Sequence, residues 1–216
     1  MSVSSYSANR SGAREARSPR QNAAERARAA TRARLIAAGK ALFAEQGLHR
    51  ITTHDIAAHA GVAAGTYYNH FRDKAALFSV IADEAIAELI ERLDGAVGPE
   101  ESLRAGVRPI AEALLSFAED RRDLIRILFS READAAAIEA DVLDRLAARI
   151  AEGRSRSIAR GEMPSGIDPT VLSQALVGMW ARVVAWWAED PSRAPRDRVI
   201  DTLVQIQLSG THPAAS

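Results

Sequence analysis

Apolar residues recur along this chain at the three-and-four spacing of helices and show no convincing strand-like alternation. Between 24 and 46, Leu35, Ile36, Leu42 and Phe43 form a stripe that includes Gly39, while Arg26, Arg28, Arg32, Arg34 and Lys40 occupy the rest of the surface. Gly47 follows, where a left-handed C-terminal residue is expected. Thr52 and Asp55 have capping-box spacing, with Ile51 and Ile56 at the staple positions. A short helix is therefore expected from Thr52 to Gly61, and a second from Val62 to about Phe71. A long helix over 74–94 carries Leu77, Phe78, Ile81, Ala85 and Leu89 on one face. Further helical patterns cover 100–119, 120–132, 133–160, 168–189 and 196–208, with Gly161, Pro164, Gly166, Pro191 and Pro195 among the breaks. The expected fold class is all-α.

Residues 1–24 show no such period. Ser, Arg, Asn and Gly dominate, and Pro19 interrupts, so this segment reads as a disordered Arg/Ser-rich tail. Its Arg10, Arg14, Arg17 and Arg20 also suit an arm that touches DNA. The 216 residues, 47% hydrophobic and only 5% aromatic, leave room for one large or two smaller alanine-rich helical domains. The formal net charge of zero hides a separation. Residues 1–74 hold 12 Lys and Arg against 5 Asp and Glu, and residues 75–216 hold 16 against 23. A basic front on an acidic body suits a polyanion partner for the front alone.

The absence of cysteine excludes disulfides, thiol catalysis and Cys-ligated metal. No histidine falls within 75–210, so imidazole metal sensing is not expected in the body. No Gly-rich phosphate loop, GxSxG or HExxH occurs, so neither an enzyme nor a bound cofactor is expected. No uninterrupted apolar run reaches the ~18–20 residues of a membrane span. The nearest, 175–188, is broken by Gly178 and Arg182, and no apolar stretch follows the basic start. A cytoplasmic protein without a membrane role is the expectation.

The informative stretch is TTHDIAAHAGVAAGTYYNHF, residues 52–71. Ile56, Ala57, Val62, Tyr67 and Phe71 are placed to lock two short helices together about Gly61. Ala64, Gly65, Tyr68 and Asn69 then point outward from the second. This is a helix-turn-helix pattern, whose second helix enters the major groove. The longer phrase AAGKALFAEQGLHRITTHDIAAHAGVAAGTYYNHFRDKAALF, within about 33–85, resembles the tetracycline-repressor-type (TetR) family of transcriptional regulators. Two departures stand out. Ala63-Ala64 follow Gly61-Val62 where many members carry Ser-Lys or a similar polar pair, and Tyr67 stands where leucine is commoner.

The resemblance implies an N-terminal three-helix DNA-binding domain over 25–89. A long helix joins it to a helical ligand-binding and dimerisation domain over 90–210. It further implies that Thr52, Thr53, Tyr68, His70 and Lys74 contact phosphates and fix register. His54, Ala64, Gly65, Thr66 and Asn69 then neighbour base edges, where Asn69 can pair bidentately with adenine and small Ala64 and Gly65 allow close approach.

In the body, Val171, Leu172, Ala175, Leu176, Met179, Trp180, Val183, Val184, Trp186 and Trp187 make a helix apolar on nearly all sides. Such a helix is expected to be buried all round, here with help from a second subunit. With the last helix (Val199, Ile200, Leu203, Val204, Ile206, Leu208) it is expected to form an isologous four-helix interface in a homodimer. Phe117, Leu128, Phe129, Met179, Trp180, Trp186 and Trp187 are candidate lining for a small-molecule effector. The expected function is a repressor that binds a palindromic double-stranded DNA operator and is released by that unknown effector. The alternative is a helical protein-interaction module without ligand switching, which predicts no salt-sensitive affinity for DNA.

Overall fold

A computed structural model describes residues 19–97, 103–130, 133–164 and 166–209. Among them there is no strand. The helices run α1 (Pro19–Gln46), α2 (Thr53–His59), α3 (Ala64–Tyr68), α4 (Lys74–Ala96), α5 (Leu103–Asp120), α6 (Arg122–Leu128), α7 (Ala133–Ala159), α8 (Pro169–Glu189) and α9 (Arg196–Ser209), with a single 3-10 turn at Pro191–Arg193 before the last.

Among the boundaries that differ from the sequence reading, two bear most on the front unit. The first helix begins at Pro19, five residues before the expected start, so the end of the supposed tail is helical. Proline at the head of a helix gives up only an N–H that has no helical partner, and the alanine- and arginine-rich run behind it favours the helix. Arg10, Arg14 and Arg17 lie outside the described residues. The third helix stops at Tyr68 rather than Phe71: Asn69 is its C-cap, and the N–H of His70 returns to the Tyr67 carbonyl at 2.9 Å.

Helix α2 is capped as its sequence requires. The Thr52 hydroxyl accepts from the Asp55 N–H at 3.2 Å, and the Asp55 carboxylate accepts from the Thr52 N–H at 2.9 Å. Donation to the carboxylate from the Thr52 hydroxyl at 2.6 Å, and then from the Thr52 N–H, holds the Asp55 carboxyl below the usual carboxylate range. Gly47 (φ 80°) takes the left-handed position beyond α1.

One apolar core runs from Leu35 in α1 to Leu203 in α9. Its first part joins α1 to α4. Gly39 faces α4 so closely that a Cβ there would lie 2.7 Å from a Leu77 methyl and 3.3 Å from Ile81, and one turn further the Phe43 and Phe78 rings meet edge-on at 5.9 Å. Helix α4 then continues into the body, where Ile81, Ala85 and Leu89 join Ala111, Leu115 and Phe117 of α5 in the same core. Ion pairs strap its flanks: Lys40–Glu84 to α1 at 2.8 Å, Arg145–Asp83 to α7 at 2.6 Å, and Arg121–Glu88 to the start of α6 at 2.6 Å.

Helix α8 is long and apolar enough to span a bilayer by length and composition. Its Val177, Trp180, Val184, Trp187 and Ala188 are buried in the body, which is the use a bundle makes of such a helix. The Trp180 indole N–H donates to Gln207 of α9 at 2.8 Å and that of Trp187 to the Ala194 carbonyl at 2.9 Å. The expectation that α8 is covered on all sides does not hold within one chain: Val171, Ala175, Gly178 and Arg182 form a bare stripe.

Gly39→Ala is expected to lower stability by about 1 kcal/mol in urea unfolding, because overpacking against Leu77 outweighs the gain in helix propensity. In a Leu77→Ala background the same substitution is expected to stabilise. Thr52→Ala, which removes the cap, is expected to cost about 1 kcal/mol.

Candidate nucleic-acid interface

The turn between α2 and α3 is built on Gly61, at φ 66°, with its N–H returned to the Ala58 carbonyl at 3.1 Å and that of Val62 to Ala57 at 3.0 Å. Below it Ile56, Ala57, Tyr67 and Phe71 are buried and Val62 packs against them partly covered, so the inward set has the expected members. Tyr67 is wholly enclosed, and its hydroxyl donates to the Asp73 carbonyl at 2.9 Å, immediately before α4. Burial pushes this phenol well above its ordinary pKa. The tyrosine that stands for the family's leucine therefore gives α3 a polar tie to α4.

The opposite face of α3 is open. Tyr68 is 60% exposed, Gly65 and Asn69 are exposed, and Ala64 and Thr66 are half-covered. A Cβ at Gly65 would meet nothing within 4 Å, so this glycine leaves free space on the surface rather than fitting a neighbour. The Tyr68 and Thr53 hydroxyls share a hydrogen bond at 2.9 Å, which joins the start of α2 to the recognition helix. Thr52 and His54 lie exposed beside Thr53. Nine of the ten residues expected at DNA thus lie on or beside one surface, built from the head of α2, all of α3 and the turn after it.

Lys74 is the tenth, and its geometry serves another purpose. Its ammonium donates to the carbonyls of Leu48 at 3.0 Å and His49 at 3.3 Å, fastening the turn after α1 to the head of α4. That also explains a cation at a helix start, where the dipole disfavours it. His70 is half-buried, and its pKa is held below the usual histidine value by burial and by the nearby Arg28 and Arg32.

Those arginines belong to α1. Arg28 reaches the Asn69 carbonyl at 3.4 Å, Arg32 lies over the Phe71 ring at 4.9 Å, and Arg34 reaches the Gly61 carbonyl at 3.4 Å. The sequence reading placed them only on the polar remainder of the first helix. The signal was their phase: positions 28 and 32 continue the line of Leu35, Ile36 and Gly39 backward by whole turns.

The residues proposed for an effector pocket are mostly core. Phe117, Leu128, Trp180 and Trp187 are buried, Phe129 and Met179 pack against the core, and Trp186 is 37% exposed with Arg193 over its ring. None lines the cavity of about 270 Å³ where α1, α4 and α6 meet. Phe43, Phe78, Ile81, Leu124 and Ile127 supply its apolar wall, and Lys40, Glu84, Glu88, Asp120, Arg121 and Asp123 its charged part. Among the described residues no group of three or more His, Asp or Glu is placed to hold a metal.

Residues 35–81 match the family model for bacterial regulatory proteins of the tetR family. The nucleoid occlusion factor SlmA of Pasteurella multocida is 34% identical over 87 residues, which are 40% of this chain and 44% of that protein. The chain thus spans under half the length of this curated relative. Two solved structures share the fold over nearly their whole length. They are the fatty acid degradation regulator FadR of Bacillus halodurans (TM-score 0.71, 18% identity, 84% of this chain and 96% of that one) and FadR of Bacillus subtilis in complex with stearoyl-CoA (TM-score 0.69, 20% identity, 83% and 98%). Regulators of this family bind DNA and typically dimerise. Residues 35–81 are thus a helix-turn-helix unit of the tetR-family type, set on an all-helical body that shares the fold of these solved regulators.

Proposed function

We propose that this regulator is a cytoplasmic repressor that binds a palindromic operator as a homodimer and leaves it when a small molecule binds. The observation that carries the reading is the division of α3, with Tyr67 enclosed while Tyr68 and its neighbour Asn69 stand out. Thr52, Thr53, Tyr68 and His70 are assigned to phosphates, and His54, Ala64, Gly65, Thr66 and Asn69 to base edges. Lys74 keeps a supporting role. The DNA-binding domain is taken as 25–89 and the ligand-binding and dimerisation domain as 90–210.

A five-residue recognition helix makes few contacts alone, and two held about 34–36 Å apart read successive major grooves. The bare stripe of α8 supports such a pair. Val171 is 68% exposed, Gly178 has open space where its side chain would be, and Ile206 is exposed on α9. A second copy that covers these positions completes the four-helix interface.

The effector is assigned to the junction cavity rather than to the aromatic core. A molecule lodged between α1 and α6 acts on the DNA unit and the body together, and it shifts the population toward whichever arrangement it binds better. Stearoyl-CoA, held by the Bacillus subtilis neighbour, and lauroyl-CoA, held by a Thermus thermophilus one, belong to the first ligand class to try.

Fluorescence anisotropy with genomic fragments selected for binding tests the DNA reading. Affinity is expected to fall steeply with salt, and Asn69→Ala is expected to lose about 1–3 kcal/mol of preference at one base pair. Affinity absent at every salt concentration favours the protein-interaction module instead. Gly178→Arg is expected to yield monomers in sedimentation velocity and to weaken operator binding at least tenfold, with the helical circular dichroism kept.

A further inference from the structure

A helix-turn-helix protein needs cations for phosphates, and this one has almost none in the unit itself. Residues 35–74 hold four Lys and Arg against three Asp and Glu. Of the four, Lys40 is paired with Glu84, Arg72 with Asp73, and Lys74 is bound to two carbonyls. The recognition helix carries no cation, and it starts on Ala63-Ala64. Residues 1–34, by contrast, hold eight Arg against two Glu, so nearly the whole basic surplus of the front lies ahead of Leu35, the first residue of the apolar core.

The structure gives that surplus a direction. Helix α1 meets the body near its C-terminal end, where Lys40 pairs with Glu84 and Phe43 and Ala44 face α6 across the cavity. It meets the helix-turn-helix unit further back, through Arg34, Arg32 and Arg28. These contacts step forward from the Gly61 turn at Arg34, through Phe71 at Arg32, to the C-cap of α3 at Arg28, and the start of the rod lies beyond the last of them. Residues 23–30 are all exposed, and at 1.5 Å per residue the stretch 19–27 reaches about 13 Å beyond Arg28. Arg20 and Arg26 stand on it with no carboxylate partner among the described residues, and Arg28, Arg32 and Arg34 each use few of their five donors.

We infer that the forward part of α1 is a second DNA-binding surface, a helical arginine arm that grips the phosphate backbone and supplies most of the electrostatic affinity, while α3 supplies the base reading. The inference rests on the DNA reading above and adds where the charge for it comes from. It assigns α3 a short, nearly uncharged contact, and it extends the protected DNA beyond the groove that α3 occupies.

The test uses the full chain with Arg20→Gln and Arg26→Gln combined, since glutamine keeps the helix propensity of arginine. Anisotropy is measured from low to moderate salt on a selected genomic fragment and on a scrambled duplex of equal length. The slope of log K against log salt is expected to shrink by about 0.9 for each phosphate that the protein no longer neutralises, up to about 3.6 for the four arginines of a dimer. Affinity at about 0.15 M salt is expected to fall at least tenfold on both duplexes alike, with circular dichroism unchanged. Asn69→Ala is expected to do the reverse, reducing the preference between the duplexes by about 5- to 150-fold, the worth of one base pair (about 1–3 kcal/mol), and leaving the slope. A slope equal to that of the unaltered protein, with the Asn69 effect intact, overturns the arm and spares the DNA reading. Failure of the unaltered protein to bind either duplex overturns both.

Discussion

The placing of the helix-turn-helix unit in this molecule hangs on the close approach of α1 to α4. Gly39 lets the two backbones come near enough for Leu77 and Ile81 to fill the seam, and the Phe43–Phe78 pair closes it. The helix-turn-helix unit is fastened to both sides of that seam, by the Arg28 and Arg34 contacts from α1 and by Tyr67 at the head of α4. Because α4 continues into the body core, the recognition helix has a rigid path to α5 and, through the strap from Glu88 to Arg121, to α6. Protein interiors pack too densely to bend smoothly, so a change at this seam is a change of state rather than a gradual drift.

The short front helices were legible because their signals are local. A capping box, a glycine in the turn and an alternation of inward and outward positions all act within a few residues, and Thr52, Asp55, Gly61 and Tyr67 stand where those rules put them. The recognition helix is shorter than its pattern because the N–H groups of Asn69 and His70 return to carbonyls three residues back, Thr66 and Tyr67, rather than four. The role of Lys74 was hidden for a different reason. Its partners are carbonyls about twenty-five residues away, which no local rule marks. The body shows the same limit: the tryptophans of α8 announce burial, but apolar side chains that line a void and those that fill one have the same sequence signature.

On the proposed reading, affinity and specificity are drawn from different parts of this protein. The surface of α3 is small and nearly uncharged, which permits intimate contact with bases but gives little hold on a polyanion. The acidic body gives none. What remains is a helix whose rear half is apolar and structural while its front half is exposed and basic, so that one continuous rod runs from solvent past the helix-turn-helix unit to the junction cavity. Such a layout ties the strength of DNA binding to ionic conditions and the choice of sequence to a handful of uncharged atoms.

The enclosed hydroxyl of Tyr67 has a mechanical consequence. Where an aliphatic side chain would let α3 slide over the start of α4, a directional bond to the Asp73 carbonyl resists sliding and transmits rotation. Turning α4 then drags the recognition helix with little backlash, and the stiffness of that joint is carried by a single donor sealed away from water.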